Sequence, residues 1–226
     1  MRGLLGEVHS RLEVVATELV ARRRAALAGT GVFGVRDLAG LKPTLVEQVT
    51  SQPAADGCGV LLGAGVISDR ERHIEWWRRG DAGFVQLRLN LDPTSVDVYD
   101  YFDRDWFAAA RDHGRGSAYG PYVDYTGADR YVFTFTVPVS DDIFLGVAGM
   151  DLGMTELEPR LLGALRRGTH DAVLVGPERH VIAANTSRWV VGSRLPYMPR
   201  AGEGEFLVVG DVGLDSGWVV ALAAGE

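Results

Sequence analysis

The sequence predicts an α+β fold: a long N-terminal helix, an antiparallel sheet, and a smaller second unit with a sheet of its own. Three observations carry this reading. Leu5, Val8, Leu12, Val15 and Leu19 recur in steps of three and four, the stripe of a helix that packs along its length. Runs rich in Val, Thr and aromatic residues, bounded by polar turns, then follow through residues 59–151. A helix over 155–167 separates these from a further strand-rich block of about 55 residues, too small to be stable without packing on that helix. The chain thus divides into an N-terminal helix (1–31), a main unit (32–154) and a smaller unit (155–226).

Taken in order, the first helix covers 3–28 and stops at Gly29-Thr30-Gly31. Arg22, Arg23 and Arg24 stand near its C-terminal end, where positive charge suits the helix dipole. Its apolar stripe either docks on the chain's own sheet or forms the seam of a homodimer. A second helical stretch spans 43–52, and strands are expected at 59–67, 73–79 and 84–90. Adjacent Trp76 and Trp77 point to opposite faces of their strand, one to the core and one free to wall a pocket. A short helix at 103–110 and a Gly-rich loop at 113–119 come next. Strands at 131–140 and 144–151 are joined by Asp141-Asp142, a tight hairpin turn. The helix after Thr155 has Glu156 and Glu158 in its first turn, Arg166 and Arg167 in its last, and Gly168 beyond. The final strands fall at 172–175, 180–184, 205–209 and 218–223.

Bulk composition excludes several functions. The chain has 226 residues, 46% hydrophobic and 23% charged, which is globular rather than disordered. A net charge of −7 makes it a poor general partner for nucleic acid or an anionic membrane. No run of about 18 apolar residues exists, so no membrane insertion is expected. Leu4-Leu5 is followed at once by Glu7, His9, Arg11 and Glu13, which interrupts the apolar core of a targeting segment and points to a cytoplasmic protein. Cys58 is the only cysteine; its apolar setting marks it as a small buried hydrophobe.

Catalytic and cofactor motifs are also missing. The five histidines share no metal spacing, so no metal is expected. Gly57-x-Gly59-x-x-x-Gly63 has the wrong last gap for a dinucleotide loop and no helix after it, so no cofactor is expected. No GxSxG occurs and Ser117 has no evident base. A non-enzymatic protein is the expectation.

The richest stretch lies between 99 and 151. It holds YDYFDRDWF (99–107), GPYVDYTG (120–127) and GVAGMDLGM (146–154). Arginine forks bind carboxylates through paired hydrogen bonds. Acidic side chains and phenol oxygens accept from an ammonium. Together these residue types suit a small molecule carrying both groups. The same aromatics also suit a plain core, and Arg104 also suits surface pairing with Asp103 or Asp105.

This stretch resembles the Cache family of small-molecule sensor domains, in its double Cache form, and most closely the amino-acid-binding subset. The pattern is tyrosine, four residues, arginine, one residue, tryptophan, tyrosine, then a distant tyrosine and aspartates. Here Tyr99, Arg104, Trp106, Phe107, Tyr122, Asp124 and Asp151 stand at similar spacings. The resemblance implies a PAS-like antiparallel sheet after a long helix, with a second, smaller sheet domain. It implies that Arg104 and Trp106 hold a ligand carboxylate, that Tyr122, Asp124 and Asp151 hold its ammonium, and that Tyr99 closes the pocket. Phe107 departs from the pattern by lacking a hydroxyl. The resembled proteins sit between membrane helices, whereas this chain reads as a free-standing sensor. Its ligand is then an amino acid or related zwitterion, with side-chain selectivity set around Trp76, Trp77 and residues 84–90. The alternatives are a protein-interaction module with a vestigial pocket, or a binder of an amine or small carboxylate.

Overall fold

The computed structural model describes residues 2–124 and 130–224. Helix α1 (Arg2–Thr30) is followed by α2 (Val35–Leu38), a 3-10 turn (Ala39–Leu41) and α3 (Lys42–Thr50). Next come β1 (Ala55–Leu62), β2 (Ile74–Gly80), β3 (Gly83–Gln86), α4 (Asp105–His113), β4 (Ser117–Asp124), β5 (Arg130–Ser140) and β6 (Phe144–Gly153). Helix α5 (Met154–Leu165) leads to β7 (Asp171–Val175), β8 (Val181–Ala184), β9 (Phe206–Asp211) and β10 (Val219–Ala223). Among the described residues the strands form two antiparallel sheets, ordered β3-β2-β1-β6-β5-β4 and β8-β7-β10-β9. The N-terminal helix, PAS-like sheet and smaller second sheet predicted from the sequence are the observed architecture.

Strand alternation gives the large sheet two distinct faces. Cys58, Val60 and Leu62 on β1, Phe133, Phe135 and Val137 on β5, and Ala148, Met150 and Leu152 on β6 join the main core with α1. The intervening residues, among them Gly59, Leu61, Trp76, Thr134, Gly149 and Asp151, face the other way. Trp218, fully buried, ties the second sheet to the first: its ring meets Phe133 and Phe135 at 4.9 and 5.4 Å.

The helix stripe is consumed inside the chain. Leu5, Val8, Leu12, Val15 and Leu19 are each at most 2% exposed and belong to the main core, so they are not the seam of a homodimer. A short apolar stripe cannot say whether a sheet or a second helix will cover it; here β5 and β6 do. Leu12→Glu is therefore expected to remove the fold rather than a dimer, since an unpaired charge in a dry core costs several kcal/mol. Loss of the near-UV circular dichroism signal would bear this out. A folded, monomeric variant of a self-associating parent would restore the seam.

The arginines near the end of α1 have specific partners rather than only the helix dipole. Arg23 donates to Asp141 at 3.0 Å and to Asp142 at 2.5 Å, and Arg24 donates to Asp141. They clamp the turn of the β5–β6 hairpin against the helix. Several boundaries moved. β1 starts at Ala55 and ends at Leu62 rather than at 67, the strand expected at 84–90 stops at Gln86, and part of the loop expected at 113–119 belongs to β4. β4 is an edge strand carrying Gly120 and Pro121, residues that weaken a strand signal, and only its pairing with β5 shows it.

Candidate ligand pocket

A cavity of about 460 Å³ lies on the face of the large sheet opposite α1. Tyr99, Arg104, Trp106, Tyr122, Asp124 and Asp151 all line it. The last three residues of the 120–127 motif lie outside the described residues.

The sheet supplies the floor. Asp151 on β6 sits opposite Thr134 on β5 and Gly57 on β1. Thr134 donates its hydroxyl hydrogen to Asp151 Oδ1 at 2.5 Å. Its oxygen lies 2.7 Å from the Tyr122 hydroxyl. A threonine hydroxyl has one hydrogen, so Tyr122 is the donor to Thr134 and the three groups form a directed chain ending on the carboxylate. Burial pushes the Asp151 carboxyl up to about 7; the Thr134 hydrogen bond opposes this, and Asp124 and Asp56 add to it. The Tyr99 and Tyr122 phenols are also held above their ordinary range, by burial first and the Asp151 charge second.

A bulge aims β4 into the site. The register with β5 shifts between Tyr119 and Tyr122, so both rings reach the cavity, their centroids 5.3 Å apart. Without the extra residue, side chains three apart would point to opposite faces. Gly120 has a φ of 129° there, and a Cβ on it would lie 2.8 Å from Val132 O. The Gly120-Pro121 bond is cis.

The lid comes from residues 87–106. Leu87 N donates to Trp76 O at 2.9 Å and Tyr99 N to Asn90 O at 2.7 Å, which closes the loop between them. Tyr101, fully buried, donates to Leu62 O at 2.7 Å and accepts from His73 N at 3.3 Å, anchoring the approach to α4. Arg104 is the residue before the first turn of α4, with extended backbone. Its side chain is exposed at the cavity rim. Among the described residues, neither its guanidinium nor the Trp106 indole N–H has a hydrogen-bond partner. Both donors are available to an anion.

Phe107 is placed differently from its neighbours. It is 1% exposed and does not line the cavity. One residue along a helix turns the side chain by about 100°, which carries Phe107 from the pocket side of α4 into a cluster with Tyr101, Phe102 and Phe144. A hydroxyl added there enters an apolar site. Phe107→Tyr is expected to lower stability by about 1–3 kcal/mol while changing ligand affinity little, read by chemical denaturation beside calorimetry. An unchanged midpoint with altered affinity would put the ring back in the pocket.

Sequence reasoning missed Thr134, Tyr119 and Leu61, and left Trp76 undecided. Trp76 and the 87–90 segment do line the cavity, through Trp76, Leu87 and Leu89, whereas Trp77 packs on the other side of the sheet beneath the Lys42 ammonium. Alternation along β5 was the available signal for Thr134. It shares a face with Thr136 and alternates with Phe133, Phe135 and Val137, which face the main core. Gly57 and Gly59, unconvincing as a nucleotide loop, have another role: a Cβ at Gly57 would lie 2.6 Å from Trp76 Nε1, and one at Gly59 2.7 Å from Trp76 Cε3.

The family described as methyl-accepting chemotaxis protein-like, first PDC sensor domain, matches residues 41–159, just over half of the chain and all of the pocket-bearing sheet. The chain belongs to this family. No curated protein matches it in sequence. Solved structures share the PDC sensor fold. The periplasmic sensory domain of the Campylobacter jejuni chemoreceptor Tlp1 aligns with a TM-score of 0.62 at 11% identity, over 99% of this chain and 89% of that one. The ligand-binding domain of the Pseudomonas fluorescens chemoreceptor CtaA, solved with L-valine, aligns at 0.59 and 18% identity over 100% and 90%. The extracellular domain of mmHK1S-Z3, assigned as a histidine kinase, aligns at 0.54 and 12% identity over 81% and 65%. PDC domains of this kind sense ligands rather than catalyse reactions. These relatives overturn the cytoplasmic assignment, because they are periplasmic and extracellular domains; the first residues, which suggested it, simply form α1. Among the described residues no helix is long and apolar enough to cross a membrane.

Proposed function

We propose that this PDC sensor domain is of the double Cache type and binds an amino acid or related zwitterion without turning it over. Arg104 and Trp106 take the carboxylate from the helix side. Asp151, Asp124 and Tyr122 take the ammonium from the sheet side, and Tyr99 closes over both. The observation that carries this reading is the placement of spare cationic and N–H donors and a half-buried carboxylate in one cavity. The CtaA domain's complex with L-valine supports it. The helix 1–31 and unit 32–154 then form the ligand-binding part, and 155–226 the second Cache-like part.

Charge-assisted hydrogen bonds of roughly 1.5–3 kcal/mol each supply the affinity. Isothermal titration with the proteinogenic amino acids at pH 8 tests the reading. Saturable binding of at least one is expected, and silence across the set contradicts it. Among the described lining residues, carboxylates outnumber Arg104, the only guanidinium. That excess favours a second reading, an amine lacking a carboxylate, and simple amines belong in the same titration.

A further inference from the structure

The cavity has a second character beyond its polar groups. Leu61 and Ile74 from β1 and β2, Trp76 beside them, and Leu87 and Leu89 from the following segment make one continuous apolar wall. Among the described residues that wall carries no charged side chain. Every lining carboxylate comes from elsewhere: Asp103 and Asp105 at the start of α4, Asp124 on β4, Asp151 on β6, and Glu178 from the turn after β7. The depth of the wall is fixed from below. The Trp76 indole lies across Gly57, Gly59 and Gly149, and a Cβ at Gly149 would come within 3.1 Å of its six-membered ring. Trp76 is only 5% exposed and has no deeper position to occupy.

We propose that this wall is the side-chain subsite and that the ligand is an α-amino acid with a large apolar side chain, branched aliphatic or aromatic; this rests on the zwitterion reading above. Once Arg104 and the Asp151 end hold the two charged groups, the third substituent on the α-carbon meets the leucines and the indole. An acidic side chain is refused, because its charge is desolvated among apolar groups. Lysine's ammonium meets the same penalty there. Apolar pockets discriminate by size, roughly 10–200-fold for each methylene-scale change. Trp76, Leu87 and Leu89 are therefore specificity residues, and the glycine floor sets the size they admit.

Calorimetry with glycine, L-alanine, L-leucine, L-phenylalanine, L-aspartate and L-lysine tests this. Leucine or phenylalanine is expected to bind at least about tenfold more tightly than alanine, in line with that size discrimination, with aspartate undetectable. Leu87→Ala and Leu89→Ala, in a partly exposed segment, are expected to weaken leucine several-fold and leave alanine nearly unchanged. Gly149→Ala raises the indole into the cavity and should penalise phenylalanine most. Tightest binding of glycine, aspartate or lysine overturns the subsite and leaves the zwitterion reading standing. Equal losses for leucine and alanine in the Leu87 and Leu89 variants also overturn it. Binding of no amino acid at all overturns both.

Discussion

Arg104→Ala is expected to abolish detectable amino-acid binding while the protein stays folded. The side chain is exposed and carries no intramolecular hydrogen bond among the described residues, so its loss removes nothing from the apo core. In the complex it leaves a ligand carboxylate without its charged partner, a loss of about 2–5 kcal/mol, or roughly 30-fold to several thousand-fold in Kd. Arg104→Lys is expected to recover little, because a point charge cannot reproduce the paired donors of the fork. An unchanged melting temperature alongside lost heat in calorimetry is the expected pair of results. Affinity within a few-fold of the parent would place the carboxylate elsewhere in the cavity.

Asp151→Asn carries the second large effect, and it has two opposite signs. The carboxylate charge is what an ammonium needs, so the variant loses affinity, again by about 2–5 kcal/mol. Without a ligand, the same charge is a burden. Burial raises the folded carboxyl to about 7, against about 3.9 in an unfolded chain. Between those values the native state holds a proton that the unfolded state has released. Stability therefore falls as pH rises through this window and stays lower above 7. Asparagine keeps the acceptor for Thr134 and has no charge to desolvate. The apo variant is expected to match the parent near pH 4 and to exceed it by a few kcal/mol at pH 8. Thermal melts of both proteins across that range provide the test. A variant less stable than the parent at pH 8 would mean the carboxylate is paired inside the protein rather than reserved for a ligand.

The raised carboxyl also sets the pH dependence of binding. Below about 7 the Asp151 carboxyl of the apo protein is protonated, and an ammonium must displace that proton. Kd should rise by nearly tenfold for each pH unit lost between about 7 and 5, and the Asp151→Asn variant should lose that slope.

Much of this was legible in the chain before folding. The apolar stripe of α1, the hairpin at Asp141-Asp142 and the strand-rich second block are local patterns, written in residues close together in sequence. The polar pocket residues were legible for another reason: by type alone they suited a core or a surface pair equally well, and their spacing singled them out through its resemblance to the amino-acid-binding Cache domains. What was hidden depends on pairing at long range. Thr134 becomes a relay only because β5 lies in register beside β6, and Tyr119 reaches the cavity only through the bulge in β4. Phe107 looked like its neighbour Trp106 in sequence, and a single helical step separated their roles. The partner of the α1 stripe was undetermined because a leucine seam looks the same whether a sheet or a second helix covers it. The compartment was misread because interrupted hydrophobicity in the first residues describes the start of a helix and nothing about where the protein resides.

The central claim is that one cavity recognises both ends of a zwitterion. It is tested most directly by taking the tightest-binding amino acid and titrating three molecules at pH 8: that amino acid, the amine lacking its carboxylate, and the acid lacking its ammonium. The account predicts that the intact amino acid binds and that each truncated form is weaker by about 30-fold or more. It further predicts that Arg104→Ala no longer distinguishes the amino acid from the amine. An amine or an acid that binds the parent protein as tightly as the amino acid would contradict it.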